Sequence, residues 1–197
     1  IAAGLSPRGW RFASRHRHHI TYIEADLVDM AKYKHNLLQA GGLNSDHHHV
    51  RIINALADTG ADSLAEIAAK LDPSKGLAII TEGLVNYFDT ATVQQMWARF
   101  AQVLSGFQHG LYLSDLHIKA TNRGPATRTF MSLLSTFVGG RVHLHFKDTG
   151  SAEVALSQAG FSQGVLLKPS EFRDQLPDCR ATGVDVVRVV CARTTHP

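Results

Sequence analysis

The stretch "HITYIEADLVDMAKYKHNLLQAGG" (residues 19–42) decides the fold. It begins as a short apolar run ending on two acids, Glu24 and Asp26, then changes to helical spacing until Gly41-Gly42. This pattern predicts a strand over 19–24 and a helix over 29–40. The same alternation extends outward in both directions. Before it, Ile1 and Ala2 read as the end of a buried strand, Ala3-Gly4 as a tight turn, and residues 8–15 as a helix. After it, "HVRIINAL" predicts a strand over 49–54, and "ADSLAEIAAKL" a helix closed by Asp72-Pro73. "KGLAIITEG" reads as a central strand, its continuous apolar run implying burial on both faces. Val93, Met96, Trp97, Phe100, Val103, Leu104 and Phe107 recur at helical steps, and "GLYLSDL" supplies a fifth strand. Beyond these, "RTFMSLLSTFVGG" and "AEVALSQAGF" read as helices and "RVHLHF" as a short edge-covering strand. "QGVLLKP" and "VDVVRVVCAR" read as an edge hairpin containing one antiparallel strand. The expectation is an α/β fold: one doubly wound domain over 1–197, mostly parallel, with an antiparallel edge strand. Ile1 is not a natural start, so a segment before it is expected.

Composition narrows the partners. A chain of 197 residues, 44% of them hydrophobic, can bury a sizeable core. The net charge of +3 is small and its basic residues are scattered, which argues against a nucleic-acid partner. The histidine clumps "RHRHH" (15–19) and "HHH" (47–49) each precede an apolar run. Neighbours on an extended approach point in alternating directions, so these clumps read as solvated strand entrances and no metal is expected. Cys179 and Cys191 form no CxxC pair and read as reduced thiols of a cytoplasmic protein. No apolar run is long enough to span a bilayer, so no membrane partner is expected.

In a doubly wound sheet the ligand lies across the carboxyl ends of the strands. The first strand delivers Ala3 and Gly4 there. The second delivers Glu24 and Asp26, carboxylates suited to the two hydroxyls of a ribose. The third delivers Asn54-Ala55-Leu56, a polar group beside an apolar edge of the kind an adenine needs. The fourth delivers Glu82 beside Gly83, and the fifth Ser114 and Asp115. Acids at such ends also cap helices, and Asp26 or Asp29 could cap the helix over 29–40. Glu82 follows the buried run "LAII", where a carboxylate is costly without a partner, and therefore reads as functional. The turn "AAGLSPRG" (2–9) lacks GxGxxG and makes a poor phosphate cradle. An acidic rim without that cradle fits a nucleoside carrying a cationic centre: S-adenosylmethionine.

Four segments carry a family resemblance: "AAGLSPRG" (2–9), "YIEADLVDMAKYK" (22–34), "INALADTGADSL" (53–64) and "IITEGLVNYF" (79–88). Together with the helix after "NYFD" and the strand "GLYLSDL", the chain resembles a class I S-adenosylmethionine-dependent methyltransferase. More narrowly, it resembles the leucine carboxyl methyltransferase family, which includes the tetracenomycin-type polyketide O-methyltransferases. The resemblance implies a seven-stranded Rossmann-like sheet. It also implies that the backbone of Ala3, Gly4 and Leu5 packs against the cofactor and that Asp26, with Glu24 nearby, takes the ribose hydroxyls. Asn54, Ala55 and Leu56 would meet the adenine, with Asn54 standing where many relatives place an aspartate. Glu82 would lie near the aminoacyl part. Relatives hold the cofactor carboxylate with basic residues that would fall ahead of Ile1.

The implied activity is O-methylation of a carboxyl or hydroxyl group on a small molecule. Asn86, Tyr87, Ser114, Asp115 and His117 are the acceptor-side candidates, and no catalytic residue is singled out. Two alternatives stand beside it: a degenerate, non-catalytic cofactor-binding module and a protein carboxyl methyltransferase. A nicotinamide-dependent oxidoreductase fails on the glycine pattern.

Overall fold

The structure is a computed structural model and describes residues 1–119 and 143–195. Residues Ile1–Lys70 form one compact unit and Leu71–Pro197 a second.

The first unit runs α1 (Arg8–His16), β1 (Tyr22–Asp26), α2 (Val28–Ala40), β2 (His48–Ile52) and α3 (Leu64–Ala68). β1 and β2 pair in parallel, from Tyr22 opposite His48 to Asp26 opposite Ile52, and both helices α1 and α2 pack on them. β1 begins three residues later than its pattern suggests because the histidine-rich segment continues the α1 turn: His19 and Ile20 donate to His16 O. α2 ends where the glycines require. The Gly41 N–H closes the last turn on Leu37 O, and Gly42 takes φ +66°, a left-handed backbone that any side chain would strain. α3 is shorter than expected. Ser63 caps it by accepting from Glu66 N, so residues 61–62 stay outside in a turn where Asp62 O receives Asn54 N. Ile1 and Ala2 are not a strand, although Ala3 N donates to Ala25 O on β1 at 3.1 Å.

The second unit runs β3 (Gly76–Thr81), a 3₁₀ turn (Val85–Tyr87), α4 (Thr90–Ser105), β4 (His109–His117), α5 (Thr149–Gln158), β5 (Gln163–Leu167) and β6 (Val187–Thr194). Its sheet has the order β3-β4-β6-β5. β3 and β4 pair in parallel, and β6 runs antiparallel to both β4 and β5. The antiparallel strand therefore lies inside the sheet and not at its edge, which corrects the expectation. Its eight residues match the nine of β4, and Arg188, Val190, Ala192 and Thr194 alternate into the interior. The five-residue β5 takes the edge.

The described residues contain six strands, in sheets of two and four, and not one sheet of seven. β3 is also less buried than its apolar run implies. Ile79 and Thr81 are buried, whereas Ala78 is exposed, because β3 is an end strand of its four-stranded sheet. The helix expected over "RTFMSLLSTFVGG" and the first two residues of "RVHLHF" lie outside the described residues. The last four of "RVHLHF", 143–146, form no strand.

α4 is capped by Asp89, whose carboxylate accepts from Thr92 N. One stripe of the helix, Val93, Met96, Trp97, Phe100 and Leu104, is completely buried and packs on β4. Burying each such side chain contributes about 1.5–3 kcal/mol. Phe100 and Phe161 flank the Tyr112 ring at 5.3 and 5.8 Å, and Phe146 stacks on Trp97 at 5.4 Å.

Candidate functional site

In the first unit the carboxyl ends of β1 and β2 meet the opening turn. Ala3 N continues the pairing on Ala25 O, and Gly4 N donates to Asp26 Oδ2 at 2.8 Å. Asp26 Oδ1 accepts from Leu27 N at 2.8 Å, so Asp26 lies one residue ahead of the α2 cap and not in it. Each carboxylate oxygen thus has one backbone partner and keeps acceptor capacity for further donors. Ile53 N donates to Asp26 O, which brings Asn54 to the same end. Asn54 is exposed. Its side-chain oxygen accepts from Leu56 N at 3.0 Å, so part of its acceptor capacity is spent in a local turn. Ala55 and Leu56 are half-buried and Leu5 is exposed. The structure brings Ala3, Gly4, Asp26 and Asn54 together.

Glu24 points elsewhere. It is 2% exposed, and its two oxygens are taken by Lys34 Nζ and His48 Nε2, each at 2.7 Å. Lys34 Nζ also donates to Ser6 O at 2.8 Å. Burial raises the Glu24 carboxyl, but the hydrogen bonds and charges of His48 and Lys34 together outweigh it, leaving the pKa below the ordinary value. His48 is therefore buried in an ion cluster, whereas the sequence placed it in a solvated clump. Its place on β2 carried a signal: it shares the strand's inward side with Val50 and Ile52, while Arg51 is exposed. Lys34 carried one too, since it follows the buried Ala31 by three residues on α2.

In the second unit β3 and β4 are joined by a chain of buried hydroxyls. Trp97 Nε1 donates to Tyr112 Oη (3.2 Å), Thr81 Oγ1 lies 2.9 Å from Tyr112 Oη and donates to Ser114 Oγ (2.9 Å), and Ser114 donates to Asp115 O (3.1 Å). With Thr81's proton committed to Ser114, the Tyr112 hydroxyl donates to Thr81. Burial pushes the Tyr112 hydroxyl's pKa up, so it stays a donor. Ser114 thereby belongs to the core.

Just past this chain, Gly83 N donates to Asp115 Oδ1 at 2.7 Å, which brings the ends of β3 and β4 together. Gly83 has φ +63°, so the turn depends on glycine. Glu82 is exposed, which removes the burial cost that singled it out. Tyr87 is 43% exposed and His117 half-buried. Asn86 is buried and donates through Nδ2 to His143 O at 2.6 Å, while His143 N returns to Asn86 O at 2.8 Å. Next to it, His145 Nε2 lies 3.0 Å from Val85 O and Nδ1 3.2 Å from Thr90 Oγ1. A carbonyl only accepts, so Nε2 carries the proton and Nδ1 receives the Thr90 hydroxyl. Burial holds the pKa of His145 below the ordinary histidine value.

Among the described residues, no helix is long and apolar enough to cross a membrane. None of them group three or more His, Cys, Asp or Glu where a metal ion could be held.

Residues 1–101, more than half of the chain, match the family model described as leucine carboxyl methyltransferase. No curated protein matches. Among solved structures, an O-methyltransferase family protein from Burkholderia thailandensis is 15% identical with a TM-score of 0.64, over 99% of this chain and 49% of that one. Human N-acetylserotonin methyltransferase, solved with SAM, is 11% identical with a TM-score of 0.61, over 99% and 46%. The S-adenosylmethionine-dependent methyltransferase SibL, in its apo form, is 12% identical with a TM-score of 0.67, over 99% and 49%. At these identities the likeness is one of fold, and the chain spans about half the length of each of these proteins.

Proposed function

The chain belongs to the leucine carboxyl methyltransferase family, and from that premise we propose that it is an S-adenosylmethionine-dependent O-methyltransferase acting on a carboxyl or hydroxyl group of a small molecule. The observation that carries this reading is the arrangement around Asp26. Its carboxylate stands at the end of β1, fixed from both sides by the N–H groups of Gly4 and Leu27, with lone pairs left over for a diol. The residues fit the nucleoside of the cofactor: Asp26 for the ribose hydroxyls, the backbone of Ala3, Gly4 and Leu5 along it, and Asn54, Ala55 and Leu56 for the adenine. Turned inward, Glu24 supports this end of the strand and leaves the ribose to Asp26.

When bound, this cofactor supplies a methyl group on a sulfonium, whose charge is lost in an in-line displacement. The protein's part is alignment and exclusion of water. A carboxylate acceptor needs no base, whereas a hydroxyl acceptor must lose its proton. The acceptor-side residues we propose are Asn86, Tyr87, Asp115 and His117. Asp115 is already oriented by Gly83 N.

Calorimetric titration with S-adenosylhomocysteine, with NAD as control, tests the reading. We expect the former alone to bind. Asp26→Ala should weaken it by about 1–3 kcal/mol, the cost of leaving hydroxyls without their acceptor. Absence of binding, or binding that ignores Asp26→Ala, refutes the assignment.

A further inference from the structure

The cofactor turn is tethered to its unit at three points. Two have been described: Ala3 N on Ala25 O and Gly4 N on Asp26 Oδ2, both reaching the end of β1. The third comes from α2, where Lys34 Nζ donates to Ser6 O. Lys34 is 6% exposed, and a buried ammonium needs its donors satisfied and its charge met. Glu24 meets the charge, and Ser6 O takes a second proton. His48 holds the other oxygen of the same carboxylate but makes no bond to the turn. Behind Ser6 the chain enters α1, where Gly9 lies so close to Glu24 that an added Cβ would stand 2.5 Å from its Cδ. The carboxylate thus fits between α1, α2 and β2, and the lysine extends its hold to the loop.

We propose that Lys34 is a positioning residue. Through its bond to Ser6 O, it holds the 3–7 turn in the shape the cofactor needs, with Glu24 fixing Lys34 in turn. This inference rests on reading that turn as the cofactor loop. It differs from a general role in stability, because the two partners of Glu24 act differently. Losing Lys34 frees the turn, whereas losing His48 weakens the same cluster and leaves the turn tethered.

The experiment compares Lys34→Met with His48→Gln by backbone amide hydrogen exchange over residues 1–10 and by calorimetry with S-adenosylhomocysteine. For Lys34→Met we expect exchange in the turn to accelerate roughly tenfold or more and affinity to fall about tenfold, the scale of one charge-assisted hydrogen bond. Exchange in β2 should accelerate less than exchange in the turn. For His48→Gln, exchange in the turn and affinity should both stay within about twofold of wild type, since the tether to Ser6 is intact. If Lys34→Met alone does not fold, Lys34→Met/Glu24→Gln removes the lysine and the carboxylate charge it would leave unpaired, and reads the same turn. Unchanged exchange in the turn without Lys34, or equal effects of the two single variants, overturns the proposal. Wild-type protein that fails to bind S-adenosylhomocysteine removes the functional reading instead, and the exchange measurement then decides the tether by itself.

Discussion

Gly9→Ala sets two well-defined effects against each other. Gly9 is the second residue of α1, and alanine in a helix is worth up to about 1 kcal/mol over glycine. On propensity alone the substitution stabilises. The structure reverses that sign. The new Cβ would stand 2.5 Å from Glu24 Cδ and 2.6 Å from its Cγ and Oε1, well inside contact distance. A free glutamate would swing aside at little cost, but this one is held at 2.7 Å by both Lys34 and His48. Moving it breaks a buried ion cluster, which costs about 3–5 kcal/mol. The net expectation is a loss of about 2–4 kcal/mol. With a urea slope of about 2 kcal/mol/M, the midpoint should fall by about 1–2 M. Equilibrium urea unfolding at pH 7 reads this directly. A decisive control is the same substitution in Glu24→Ala/Lys34→Met, where the obstacle is gone and Gly9→Ala should turn mildly stabilising. Equal or higher stability of the single variant would refute the claim that the carboxylate is pinned. A loss that persists in the control background would place the collision elsewhere.

Thr81→Val removes the middle of the buried hydroxyl chain and leaves Tyr112 without its acceptor and Ser114 without its donor. Thermal unfolding should show a loss of about 1–3 kcal/mol, and a neutral result would mean that the chain adds nothing. His145 has a folded pKa below its ordinary 6.5, so below that pH the unfolded chain binds the proton more readily. Stability should therefore fall as pH drops through 6.5 and level off once the folded value is passed. His145→Gln, which can still donate to Val85 O, should flatten this part of the curve, and an unchanged slope would dismiss the residue as its source. Glu24 acts in a lower window. Its pKa is depressed from 4.5, so its contribution is complete above that value and is lost as pH falls through the folded one. Glu24→Gln should remove this acid-limb loss, and an acid limb identical to wild type would show that the carboxylate is not its cause.

The first unit was readable because its signals are local. Asp26 ends a strand, Gly41 and Gly42 end a helix, and these choices need no knowledge of distant residues. What failed were inferences that depend on partners. Glu82 looked costly because "LAII" was taken to be buried on both faces, yet the face of a strand is set by its neighbours in the sheet, and here the carboxylate is exposed. Glu24 and Asp26, both carboxylates and two residues apart on one strand, are separated in role by Lys34 and His48, which reach Glu24 from a helix and another strand. The position of β6 inside its sheet is likewise a matter of topology: a hairpin pattern records that β5 and β6 pair, but not which of them also pairs with β4.

Trp97, stacked on Phe146 with its N–H bonded to Tyr112, has a use in optical measurement. The chain has two tryptophans, Trp10 in the first unit and Trp97 in the second. Each unit thus carries a single tryptophan, one half-buried and the other fully enclosed in an apolar setting that shifts indole emission to the blue. Replacing either by phenylalanine leaves a chain whose emission follows one unit alone. The cooperativity between the two units then becomes a spectroscopic quantity: coincident transitions in the two single-tryptophan chains mean that they melt as one body, and separated transitions mean that they melt as two.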